Sequence, residues 1–298
     1  MTIYTIVAYN RLRSFLLVSL FIIFFTSVFY FIGKTLGNSE LYLILGLIIS
    51  IFSTFISYFY SDKLILFSTK AKLASKKEYF DYYTVAENIS IAAGLPMPKL
   101  YVINDSSMNA FTTGRNPKKS IICVTTGLLE RLDRLEIEGV IAHELSHVKN
   151  YDMLLSSIVA VLVGALIIVI DLLSRSWFFS GTLLDRDDRN TNAIKFLFLI
   201  IIFLITPILA TIIQLAISRK REFLADADGV LITRYPNGLA NALEKISKDT
   251  VLFKNPSGAT AHLFISNPFR NKNLKYRFSS LFSTHPPISE RIKILRSL

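Results

Sequence analysis

The chain has 298 residues, 52% of them hydrophobic, and a formal net charge of +11. So apolar a composition excludes an ordinary soluble enzyme and points to membrane spans. Its single cysteine, Cys123, excludes an intramolecular disulfide and suits a reducing compartment.

Four apolar runs stand out in chain order. Residues 15–32 and 41–60 carry no charge, 154–173 carries only Asp171, and 196–217 carries none but includes Pro207. Each is long enough for a helix to cross roughly 30 Å of hydrocarbon. No small-x-small cleavage site follows the first run, which therefore reads as a retained anchor. Basic residues set the orientation. Arg11 and Arg13 precede the first run, Lys63, Lys70, Lys72, Lys76 and Lys77 follow the second, and Arg219, Lys220 and Arg221 follow the fourth. Both termini and the segment 61–153 are therefore expected on the cytoplasmic side, with basic flanks against anionic lipid of the plasma (inner) membrane. No nucleic-acid motif accompanies the positive charge.

The non-membrane mass falls in two parts. The division expected is 1–60 (two spans), 61–153 (first catalytic part), 154–217 (two spans with an external loop) and 218–298 (second catalytic part). In the first catalytic part, 76–93 reads as an amphipathic helix with Phe80, Tyr83, Ala86, Ile89 and Ile91 on its apolar side, stopped by Gly94-Leu95-Pro96. Residues 99–103 and 120–124 read as short strands, the second placing Cys123 in a core. Between them lies a turn-rich connection, 109–117. A helix is expected over 128–134, and another from Leu135 running without a break into the third span. The segment 256–280 reads as irregular, a loop on lipid in preference to a mobile flap.

The most informative residues are His143-Glu144-Leu145-Ser146-His147, which fit H-E-x-x-H. On a helix, positions i and i+4 share a face, so both imidazoles aim at one metal ion. Glu144, beside a ligand, is placed to take a proton from an attacking water. A catalytic zinc commonly takes a third protein ligand. The metzincin spacing is excluded, because Asn150 and Met153 stand where that pattern has Gly and His. His262, His285 and downstream carboxylates remain. Glu222 is the best of these: with Asp226 it occupies i and i+4 of a helix that follows the fourth span. It would ligate while Asp226 holds a histidine N–H.

His143-Glu144-Leu145-Ser146-His147, Glu222-Phe223-Leu224-Ala225-Asp226, Asn109-Ala110-Phe111 and Thr284-His285-Pro286-Pro287 together resemble the HtpX family of membrane zinc metallopeptidases, relatives of the CAAX prenyl proteases. The likeness covers nearly the whole chain. It implies a mainly α, integral-membrane fold: four transmembrane helices with a cytoplasmic, zincin-like α+β domain built on their extensions. It implies one Zn2+ on His143, His147 and Glu222, with Glu144 as general base. Asp226 would orient a zinc ligand, and Asn109, Ala110 and Phe111 would lie on a strand edge that receives polypeptide substrate. His285 would come near the site to support the transition state, and Arg219 offers a cation for Asp226 or Glu222. The resemblance also implies membrane or misfolded proteins as substrates, in quality control under stress.

Two other readings are weighed. An inactive zinc-binding scaffold would leave Glu144 dispensable. A prenyl-protein protease typically has more than the four spans counted here. The sequence leaves oligomeric state open.

Overall fold

The computed structural model describes residues 3–35, 37–179, 219–269 and 286–298. Two long helices come first, α1 (Ile3–Thr35) and α2 (Ser39–Thr69). They pack as an antiparallel pair in which Gly46 has no Cβ because Phe29 stands where one would point. Their stretches Val7–Phe31 and Ser39–Thr69 are long and apolar enough to cross a membrane.

A four-stranded sheet follows: β1 (Lys72–Leu73), β2 (Lys99–Ile103), β3 (Ala110–Gly114) and β4 (Ser120–Thr125), in the order β1-β2-β4-β3. β2 and β4 are parallel and the outer pairings antiparallel, so β3 is an edge strand. Alternation along β4 sends its residues to two cores. Ile122 and Val124 join Tyr82, Val85, Ala86 and Ile89 of α3 (Phe80–Ala93) and Val140, Ile141 and Leu145 of α5 (Arg134–Lys149). Cys123 faces the other way, with Phe111, Phe253, Phe264 and Ala160. It is fully buried, and burial pushes its thiol pKa well up, as befits a core residue.

The helices start and face somewhat differently from expectation. α3 begins at Phe80, because 75–79 form a turn in which Glu78 and Tyr79 donate to the Ser75 carbonyl. Its buried face is Tyr82, Val85, Ala86, Ile89 and Ser90, while Phe80 and Ile91 are exposed. α4 (Thr126–Arg131) starts earlier than 128, with the Thr125 hydroxyl as its N-cap. α5 opens on a capping box between Asp133 and Glu136.

The expectation of an unbroken helix from the motif into the third span is wrong. α5 ends at Lys149, α6 (Asp152–Phe179) begins three residues later, and the two axes meet at 83°. Tyr151 makes the turn in the left-handed region, at φ 60. The Asn150 amide donates to Ser146 Oγ and Asp228 Oδ2, while Asn10 of α1 donates to the Asn150 carbonyl at 2.9 Å. Asn10 thus satisfies the Asn150 carbonyl that the elbow takes out of the helix, and the Asn150 side chain ties the elbow to Ser146 and Asp228. If this bent pair is one span, it is the third candidate; the fourth expected run lies outside the described residues. α6 packs on α1 through Leu155, Ile158, Val159 and Leu162 against Leu17, Phe21 and Phe25.

The remaining described helices are α7 (Arg219–Thr233), α8 (Pro236–Lys248) and α9 (Ile288–Leu295). α8 buries Leu239, Leu243 and Ile246 against α5.

Candidate metal centre

α5 and α7 bring the two sequence signals together. Gly229 sits on the face of α7 that carries Glu222 and Asp226, and a Cβ there would come to 3.2 Å from the His143 nitrogen. Its missing side chain lets the α7 backbone approach α5 closely. His143 and His147 then face Glu222 in a buried cluster. The Nε2 atoms of the two imidazoles are 3.3 Å apart. His143 Nε2 lies 3.8 Å from Glu222 Oε2, and His147 Nε2 lies 3.7 Å from Oε1.

Each histidine has a second carboxylate behind it. Asp226 Oδ1 lies 2.9 Å from His143 Nδ1, and Asp152 Oδ2 lies 3.1 Å from His147 Nδ1. With both Nδ1 atoms so occupied, both Nε2 atoms point at the same space. Burial works against a charged His147, yet Asp152, Glu222 and Glu144 outweigh it and raise its pKa to about 9. Burial likewise pushes the Asp226 carboxyl up, but Arg291 and His143 hold it below its ordinary value.

These residues fit a zinc ion. In tetrahedral zinc sites with bonds of about 2.0–2.1 Å, ligand atoms stand roughly 3.3–3.4 Å apart. The donor set of two imidazoles and a carboxylate is a catalytic one. Charge agrees: Glu144, Asp152, Glu222 and Asp226 crowd the site, against the guanidiniums of Arg291 and Arg221.

Glu144 is buried and faces the sheet. Thr112 of β3 donates to its Oε2 at 2.5 Å. The edge strand β3 thus lies beside Glu144. Asn109, Ala110 and Phe111, however, have their outer side covered. The Asn109 amide donates to the Ser266 carbonyl at 2.8 Å, Ile265 N–H donates to the Ala110 carbonyl at 2.9 Å, and Phe111 meets Phe264 edge-on at 5.0 Å. Phe264–Ser266, within the segment 256–280, therefore lie on the sheet edge.

Arg219 is exposed on the first turn of α7. The guanidinium that grips Asp226, at 2.6 and 2.8 Å, and approaches Glu222 at 3.4 Å belongs to Arg291 of α9, which is fully buried. His285 lies outside the described residues. His262 is buried away from the cluster, its Nε2 3.0 Å from the Ser156 carbonyl.

Sequence reasoning missed Asp152, Arg291, Thr112 and Asn10. Asp152 also receives Asn10 Nδ2 at 2.8 Å and Arg221 Nη1 at 3.1 Å, so one carboxylate joins α1, α5, α6 and α7. Only Thr112 carried a usable signal, its place directly after Asn109-Ala110-Phe111.

The chain is 41% identical over 297 residues to a protein named Protease HtpX homolog from Dictyoglomus thermophilum, covering all of this chain and 95% of the relative. A second Protease HtpX homolog, from Thermoanaerobacter pseudethanolicus, is 43% identical over 299 residues, covering 100% and 98%. Among solved structures, one titled Crystal Structure of S. mikatae Ste24p aligns with 98% of this chain and 67% of its own, at 20% identity and a TM-score of 0.47, a likeness too loose to carry argument. Residues 81–298, which hold every side chain of the metal cluster, match Peptidase family M48. With that match, the full-length likeness to HtpX proteases and helices apolar enough to span a membrane, the chain belongs to Peptidase family M48 as a membrane-associated metallopeptidase.

Proposed function

We propose that the chain is a zinc-dependent endopeptidase that cuts polypeptides at the cytoplasmic face of the membrane, with His143, His147 and Glu222 holding the ion and Glu144 acting as general base. The observation that carries this reading is the pair of imidazoles whose Nε2 atoms stand 3.3 Å apart while each Nδ1 is held by its own carboxylate. Zinc in such a site polarises a carbonyl and makes water more acidic. Glu144 takes the water proton and returns it to the leaving amine, a role worth roughly 10²- to 10⁴-fold. Thr112 holds the carboxylate that does so. Asp226 and Asp152 fix the histidine tautomers, and Arg291 keeps Asp226 ionised.

Substrate pairs as an extended strand with β3, where backbone bonding tolerates many sequences. Its approach to Asn109, Ala110 and Phe111 requires Phe264–Ser266 to give way. The elbow joins the helix that carries both histidines to the candidate span α6, which favours membrane proteins and misfolded chains as substrates, and a quality-control role.

The test is casein cleavage by detergent-purified, zinc-loaded protein beside Glu144→Gln, with zinc content measured for both. Cleavage by wild type alone, at equal zinc content, supports the reading. Zinc bound without cleavage by either protein would favour a scaffold.

A further inference from the structure

A second feature lies where the N-terminal half of α1 and the second half of α2 meet the start of α6, beside the elbow. A cavity of about 540 Å³ opens there between these helices and the first turns of α6. Its two halves differ. One is apolar, lined by Phe15, Val18, Leu154 and Ile158. The other carries Arg11 and Arg115, with Asn116 next to Arg115 in sequence.

Both guanidiniums are positioned by aromatic faces and not by acids. Arg11 lies 4.6 Å over the Tyr151 ring and Arg115 lies 5.0 Å over Phe59. Among the described residues no carboxylate pairs with either. Two of the residues that line it, Thr54 and Asn116, each hold a buried oxygen, Oγ1 and Oδ1, without a hydrogen-bond partner. A buried acceptor without a partner favours a ligand that donates to it.

We infer that this cavity binds an anionic phospholipid whose headgroup carries hydroxyls, as in phosphatidylglycerol. Arg11 and Arg115 take the phosphate, which is the chemistry of basic pockets between membrane helices. Asn116 Oδ1 is an acceptor and repels a phosphate oxygen; it accepts a hydrogen bond from a headgroup hydroxyl. The acyl chains run along Phe15, Val18, Leu154 and Ile158, at the start of the apolar runs. A free phosphate would leave both the apolar half and Asn116 unused. Because Arg11 rests on Tyr151, the residue that turns the elbow, the lipid would brace the junction between the helix bearing both histidines and α6.

The test is native mass spectrometry of the detergent-purified full chain with phosphatidylglycerol and phosphatidylcholine of the same acyl chains, beside thermal melting with each lipid and with inorganic phosphate. Wild type should retain one phosphatidylglycerol with about a thirtyfold preference, as expected for two cations near lipid phosphate. Arg11→Gln/Arg115→Gln should bring the preference to near unity. Arg13→Gln/Lys70→Gln removes the same charge away from the cavity and should keep it; its retention separates a built site from general attraction to a basic protein. Equal loss in both double variants, equal retention of the two lipids by wild type, or equal protection by inorganic phosphate would each overturn the proposal. If the cavity double variant melts early in phosphatidylcholine, Arg115→Gln alone replaces it. That change removes one of the two cations and should still lower phosphatidylglycerol retention several-fold.

Discussion

Asp152 reaches back across the 83° elbow to hold His147, its Oδ2 3.1 Å from Nδ1, although the two residues belong to different helices. Carboxylates that orient zinc-bound histidines typically contribute tenfold to a hundredfold in metal affinity. Asp152→Asn is therefore expected to weaken zinc binding by about that factor, measured by competition with a fluorescent chelator. The pair of Asn10 and Arg221, which also bind Asp152, would then face a neutral amide, so melting of the chelated protein should fall as well. Unchanged zinc affinity would remove Asp152 from the site.

Why this residue was invisible in the sequence is a matter of helical geometry. Asp152 is five positions past His147, and on a continuous helix it would point to a different face. Only the break at Asn150 and Tyr151 turns it inward, and no Gly or Pro announces that break. The ligand face of α5 was legible, because an i and i+4 pair depends on local geometry alone. Glu222 and Asp226 were legible by the same rule. Arg291 depends on α9 returning from 65 positions beyond Asp226, a contact that local periodicity does not encode. Arg219, the cation nearest in sequence, points to solvent. The buried face of α3 was misread because Phe80 and Ile91, both apolar, lie on its outer side.

Thr112 is expected to act through Glu144 alone. Hydrogen bonds to charged groups contribute about 1.5–3 kcal/mol, so Thr112→Val should lower kcat by roughly tenfold to a hundredfold. Zinc content should not change, since Thr112 touches no proposed ligand. Thr112→Ser keeps the hydroxyl and should restore most of the rate. A KM increase with kcat intact would instead place Thr112 in substrate binding.

Metal uptake should depend on pH through His147. Its pKa in the metal-free protein is raised to about 9, above the ordinary value of 6.5. A histidine must be neutral to bind zinc, so below about pH 9 binding displaces a proton. Affinity should therefore climb with pH, by up to about tenfold per unit for this proton, and level off once His147 is deprotonated in the free protein. Chelator competition from about pH 6 to pH 9 measures the slope. Asp152→Asn removes one cause of the raised pKa, and the plateau should begin at lower pH. A flat profile across this range would show that zinc binding displaces no proton from His147.

The sheet edge offers a test that does not require a known substrate. Ile265 N–H is bonded to the Ala110 carbonyl, and Ser266 is tied at both its backbone groups to the Asn109 side chain. In the resting protein the Ile265 amide should exchange slowly with solvent. A peptide hydroxamate binds zinc through its hydroxamate and pairs with a sheet edge through its backbone. Adding it to the zinc-loaded protein should speed exchange at 264–266 and leave the Thr112 amide at least as protected. Slow exchange at Ile265 with the inhibitor bound would mean that this segment stays in place. Substrate would then have to pair with β3 only beyond Phe111, at Thr112, the residue that already holds the general base.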